Sequence, residues 1–172
     1  MTQFFPDGEY PVFSRDELAA QLYRKRSDFD THEVFSSASI EQILSQNELG
    51  SAVIQKVETL ETAYFVFRQG KFIPKDFPAQ VQFAPVYAIE SFELGGKLYL
   101  AIGGNQFQSR LKIGKLDANF LQLFRWENQM WIPISPVESG VFLPEEIRSL
   151  VWINQRLWSA GSRRSIYQPN VP

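Results

Sequence analysis

The sequence predicts a mostly β chain of antiparallel strands with a short helical insertion near its start. Three observations carry that reading. Aromatic residues make up 15% of the chain, with fifteen Phe against two Met, and flat side chains pack well on a pleated face. From Ser51 onward, apolar runs of strand length follow one another between short turns. Between Ser14 and Gly50 the pattern changes to helical spacing behind capping signals.

The elements follow in order. Asp7-Gly8, flanked by Phe4-Phe5 and by Tyr10-Pro11-Val12-Phe13, predicts an opening hairpin. Ser14-Arg15-Asp16-Glu17 fits a capping box, and Leu18, Ala19, Leu22 and Tyr23 then form one apolar helical face. Ser39-Ile40-Glu41-Gln42 repeats the capping pattern, and Gly50 is the expected helix stop. Two or three short helices are therefore expected in an insertion over about 14–50. Strands are expected over 52–57, 62–68, 71–74, 86–92, 98–103, 120–126, 130–134, 147–153 and 156–160. The turns between them are Gln69-Gly70, Gly95-Gly96, Glu127-Asn128-Gln129 and Asn154-Gln155. They recur roughly every 26 to 32 residues, which hints at a repeated hairpin unit, two of which would make a four-stranded blade. A sandwich, a barrel and part of a propeller all fit this pattern.

Composition bounds the function. The chain has 172 residues, of which 44% are apolar and 21% charged, as expected of a folded domain rather than a disordered one. A net charge of −2 gives no basic excess for nucleic acid or an anionic membrane. The absence of Cys excludes disulfides, thiolate metal sites and a Cys nucleophile. No stretch is long and apolar enough to predict a membrane span, and the N-terminus lacks the basic start and apolar run of a signal peptide.

Candidate chemistry is sparse. His32, the single histidine, sits in a polar link near Ser36, Ser37 and Ser39, but no nucleophile-elbow motif exists, so a surface or helix-end histidine is expected. Ile102-Gly103-Gly104-Asn105-Gln106 lacks the spacing of a phosphate-binding loop and reads as strand-end turn glycines. Asp28, Asp30 and Glu33 lack the spacing and central Gly of a calcium loop and read as a solvated acidic link. Asp117 and Glu138 are the loop carboxylates best placed to form a glycosidase pair. Arg163-Arg164 is too short a basic step for a nucleic-acid footprint. Trp126, Trp131, Trp152 and Trp158 could stack on sugars, but alternation with polar residues favours packing.

An ordered set of phrases is more specific than any of these. Asp7-Gly8-Glu9-Tyr10-Pro11 leads into Ser14-Arg15-Asp16-Glu17-Leu18. Gln82-Phe83-Ala84-Pro85-Val86-Tyr87, Gly104-Asn105-Gln106-Phe107 and Ile113-Gly114-Lys115-Leu116-Asp117-Ala118 follow, then Glu138-Ser139-Gly140 and Glu146-Ile147-Arg148. In this order they resemble the C-terminal part of bacterial FG-GAP/VCBS-repeat proteins, those related to cartilage acidic protein and the ASPIC/UnbV group, common in Bacteroidetes. The resemblance covers about residues 4–168. It implies antiparallel four-stranded blades of a β-propeller, and a periplasmic, cell-surface or secreted binding module. Family blades often carry an Asp-rich calcium loop. Here Ser91, Gly95 and Tyr99 stand where the family has Asp, and only Glu93 keeps a carboxylate, so no metal site is carried over.

The resulting expectation is a single domain over 1–172 of two to three propeller-like blades, with the helical insertion in the first. The motif residues Gly104, Asn105, Gly114, Asp117, Glu138, Gly140 and Arg148 receive structural roles. Asn105 and Asp117 are expected to fix loop backbone, the glycines to supply turns, and Arg148 to pair with a loop carboxylate such as Glu138. The expected function is a non-catalytic binding or interaction module without a cofactor, taking a protein or glycan partner, with self-association through open blade edges. A glycan-directed hydrolase and a structural fragment of a larger propeller are the rivals. Blades of roughly 50 residues make this chain long enough for a core and too short for a closed ring.

Overall fold

The computed structural model describes residues 2–162 and the backbone of 164–167. Strand accounts for 39% of residues and helix for 20%, so the chain is mostly β, built as antiparallel sheets of two to four strands. It divides into two compact units, Met1–Glu58 and Thr59–Pro172.

The first unit opens with a hairpin of β1 (Thr2–Phe5) and β2 (Gly8–Pro11). Phe5 pairs with Gly8, so the turn is Pro6-Asp7, one residue earlier than expected. Pro6 fixes the backbone angle that the first turn position needs, and Gly8 becomes the first residue of the strand. Four helices follow rather than two or three: α1 (Arg15–Gln21), α2 (His32–Ser36), α3 (Ile40–Ile43) and α4 (Gln46–Ser51), with a 3-10 turn at Tyr23–Lys25. The capping box of Ser14 and Glu17 forms, Ser14 N–H donating to the Glu17 carboxylate at 2.7 Å. Ser39 N–H donates to Gln42 in the same way, at 2.8 Å. The unexpected helix α4 uses a third such box, Ser45 with Glu48. Gly50 lies inside α4 instead of ending it; the helix stops at Ala52, whose backbone is extended. These helices are too short to persist alone. Leu18, Phe29, Phe35, Ala38 and Ile43 hold them together as one apolar core, joined by Phe13, Leu22 and Leu44.

The strand expected over 52–57 does not form. Val53, Ile54 and Val57 lie exposed in irregular backbone. A run of β-formers needs a partner strand to complete its ladder, and none is supplied there.

The second unit holds three sheets. β3 (Ala63–Arg68) and β4 (Lys71–Asp76) form a two-stranded hairpin. β5 (Val86–Leu94), β6 (Lys97–Gly104), β7 (Gln122–Glu127) and β8 (Met130–Ile134) form a four-stranded meander. β9 (Ile147–Ile153), β10 (Arg156–Gly161) and β11 (Arg164–Tyr167) form a third, in which β11 was not expected. All four expected turns are present. Gln69-Gly70, Gly95-Gly96, Asn128-Gln129 and Asn154-Gln155 each place two successive residues at positive φ, the geometry whose twist matches paired strands. Between β8 and β9, the short helix α5 (Pro136–Ser139) is capped by Ser135 and Pro136 at its start and by left-handed Gly140 at its end.

The middle sheet is covered on both faces. Strand alternation sends Tyr99, Ala101 and Leu123 to one face, where they join Ile147, Leu150 and Leu157 of the β9–β11 sheet in a single core. Phe92 stacks on Trp152 at 4.0 Å between ring centroids, and Trp152 N–H donates to the Glu90 carboxylate at 2.8 Å. Leu100, Ile102 and Phe124 face the other way, against Phe77, Val81 and Trp131. There Tyr64 of β3 packs edge-on to Trp126 of β7, and Arg68 reaches Gln129. β6 is consequently buried along most of its length.

Candidate functional site

Gly104, Asn105 and Arg148, with Gly114 and Asp117 on the adjoining loop, lie at one end of the second unit, where β5 and β9 begin and β6 ends. Gly104 makes the convergence possible. A Cβ there would lie 1.8 Å from the carbonyl oxygen of Pro85, so only glycine admits this approach. The next residue, Asn105, then donates its backbone N–H to that carbonyl at 3.2 Å.

Asn105 has a left-handed backbone, φ 72°, a conformation that asparagine tolerates better than most residues. Its side chain is buried and bonds in three directions. Nδ2 donates to the carbonyls of Asn119 and Glu145, and Oδ1 accepts the Asn119 backbone N–H at 3.0 Å. One amide thus ties the end of β6 to the approaches of β7 and β9. This is the backbone-fixing role expected of Asn105. Asn119 is itself 1% exposed, and its side-chain amide has no partner among the described residues; its backbone makes the bracket.

Beyond Asn105 the chain forms a loop closed at its base by a reciprocal backbone pair, Gln106 N–H to Leu116 at 2.8 Å and Leu116 N–H to Gln106 at 2.9 Å. Gly114 supplies its left-handed turn, φ 75°. Asp117 stands just past this base, exposed, with no side-chain hydrogen bond among the described residues. The backbone-fixing expected of Asp117 is performed by Asn105 instead.

Arg148 departs from its expected partner. It pairs with Glu146 at 2.9 Å rather than with Glu138. The Arg148 guanidinium lies 3.9 Å over the ring of Tyr87. Tyr87 in turn donates to the Gln106 side chain, and Glu146 accepts the Phe107 backbone N–H at 2.8 Å. Lys115 sits 5.4 Å above the Phe107 ring. The loop base is therefore clamped by Tyr87, Glu146 and Arg148. No role was expected of Tyr87, Glu146 or Asn119.

Glu138 and Gly140 lie apart, on α5 and at its end. Glu138 is close enough to Arg125 to add to its main partner Glu127, which holds that guanidinium above its ordinary pKa by a hydrogen bond. Asp117 and Glu138 share no partner among the described residues. The charged groups at the sheet end, Glu146 and Arg148, are engaged with each other and with backbone.

The remaining candidates fall elsewhere. His32 opens α2 with its side chain exposed, Nε2 3.9 Å from Asp16. Tyr99, at a position where the family has a calcium-loop Asp, is 1% exposed and stacks on Phe92. Among the described residues no group of three His, Asp or Glu side chains could hold a metal ion. Trp126, Trp131 and Trp152 pack against neighbouring rings, while Trp158 is exposed. Arg163 lies outside the described residues. No helix among the described residues is long and apolar enough to cross a membrane. No family model matches the chain, and no curated protein or solved structure matches it significantly.

Proposed function

We propose that the chain is a non-catalytic binding module of the propeller type, with the resembled FG-GAP/VCBS repeats as its architecture. The observation that carries this reading is how the middle sheet is covered. β9, a first strand, packs on β5, a first strand. The β3–β4 hairpin packs on β7, the third strand, through Tyr64 on Trp126, and Phe77, just past β4, packs on Phe124 of the same strand. Like strands lying over like strands in sequence order is how propeller blades follow one another. A repeated detail supports it: a Cβ at Gly161 would lie 1.7 Å from the Glu146 carbonyl, as at Gly104 with Pro85. Ser162 N–H donates to that carbonyl at 3.1 Å, matching Asn105.

The clamped loop is the element that meets the partner. Leu111 and Ile113 are 104% and 60% exposed at its tip, between Arg110, Lys112 and Lys115, with no acidic residue from Gln106 to Leu116. Aliphatic side chains bury against apolar side chains, whereas sugars stack on flat aromatic rings. The chemistry fits an acidic protein segment that also carries apolar residues. An array of acidic, leucine-rich peptides tests it. Binding that weakens at least tenfold in L111D/I113D, with unchanged melting, agrees. Absence of peptide binding, or turnover of glycoside substrates, contradicts it.

A further inference from the structure

Among the described residues, the two ends of the three-sheet stack carry exposed apolar faces. On the β3–β4 hairpin, alternation turns Tyr64 and Val66 inward and Phe65, Phe67 and Phe72 outward. Those three are 61%, 62% and 71% exposed, and Phe67 and Phe72 pair at 5.0 Å. At the other end, Leu150 and Leu157 turn inward while Val151, Ile153 and Trp158 turn outward, Val151 directly opposite Trp158. Aromatic and β-branched side chains in such number are unusual on a free sheet face.

We infer that these faces are two halves of one interface, and that a second copy of this chain covers both. The β3–β4 face of each copy packs on the β9–β10 face of the other. The interior of the stack shows what such a face accepts in this molecule: an aromatic antiparallel sheet, as Phe92 accepts Trp152 and Trp126 accepts Tyr64. A second copy brings both missing sheets at once, and the two unlike faces make the contact head-to-tail, closing in a pair. The area suffices. Three Phe side chains against Val, Ile and Trp bury about 600 Å² per contact, so two contacts bury about 1,200 Å², the lower bound of stable interfaces. This inference rests on the propeller reading of the stack, not on the loop's ligand.

The test is the mass of the intact chain by sedimentation equilibrium, for the wild type and for F67K and W158K. Both side chains are exposed in the single chain, so each variant should stay folded, with the circular dichroism spectrum of the wild type. The wild type should weigh two chains, and each variant alone should weigh one. In F67K every contact contains a damaged β3–β4 face, and in W158K a damaged β9–β10 face. An equimolar mixture retains one undamaged contact per pair and should partly recover the two-chain mass. A wild-type monomer overturns the inference, as would coverage by this chain's own exposed segment at Val53, Ile54 and Leu60. Loss of pairing in F67K alone, with W158K still paired, indicates like faces meeting and also overturns it. Peptide binding by the loop is read separately, so failure of pairing leaves that reading standing.

Discussion

Arg148 and Tyr87 occupy the same place in the first hairpins of two successive sheets, and the guanidinium of one lies 3.9 Å over the ring of the other. In the β5–β6 pair, Val86 meets Gly104 and Ala88 meets Gly103, leaving Tyr87 as the extra residue of a bulge. In β9–β10, Ile147 meets Gly161 and Ser149 meets Ala160, leaving Arg148. Bulges re-aim a side chain out of the ladder, and here the two re-aimed residues find each other. The coupling should be about 0.5–1 kcal/mol, the scale of a partly exposed cation–π contact. A double-mutant cycle with Y87L and R148M, read by urea denaturation, measures it. Additive losses would mean the contact contributes nothing.

Asn105 and Asn119 make opposite predictions despite equal burial. Removing the Asn105 amide leaves buried carbonyls of Asn119 and Glu145 and a buried N–H without partners. N105A should therefore cost about 2–3 kcal/mol. N119L deletes an amide that bonds nothing among the described residues, and should be neutral or stabilising. Equal losses in the two variants would contradict the assignment. N105D adds a pH dependence. Its carboxylate would face two carbonyls, so burial and repulsion raise its folded pKa, and the variant should gain stability as pH falls.

Three neighbouring glycines rank by what a Cβ would strike. At Gly104 and Gly161 it meets backbone carbonyls at 1.8 and 1.7 Å, which cannot yield without opening the hairpin. At Gly103 it meets the buried Ile147 side chain, Cγ2 at 2.7 Å and Cβ at 2.8 Å, so Ile147 must shift as a whole while the hairpin stays closed. G104A and G161A should each cost about 3 kcal/mol or more, and G103A about 2 kcal/mol. Chemical denaturation of the three variants reads the order.

The helical unit has an acid limit. Backbone and hydroxyl hydrogen bonds from Ser45, with Lys25 at 3.2 Å, hold the Glu48 carboxyl down to about 2. A folded pKa below the unfolded value contributes stability that is fully present above the ordinary 4.5 and is lost as pH falls toward 2. Melting of this unit, followed through the Ile43 methyl signals, should drop over that window. E48Q should lower melting at neutral pH and flatten the acid dependence.

Local chemistry was legible in the sequence. The capping box of Ser14 with Glu17 needs only residues within one turn, and the strands Met130–Ile134 and Ile147–Ile153 stand where alternation placed them. What depended on distant partners was not legible. The run at Val53 and Ile54 has strand composition but no neighbour. Asn105 was singled out, yet its bonds reach residues 14 and 40 positions away. Gly161 passed unnoticed because its constraint is a carbonyl on another strand. Arg148 was matched to Glu138 by loop proximity, although Glu146, two residues away, was the nearer answer.

The β5–β8 sheet is covered on both faces by the sheets before and after it in sequence. Nuclear Overhauser contacts in uniformly labelled wild-type protein test it directly. Cross-peaks are expected from Trp152 to Phe92 and from Ile147 methyls to Gly103 on one face, and from Phe77 to Phe124 and Tyr64 to Trp126 on the other. Contacts on one face alone, or on neither, would contradict it.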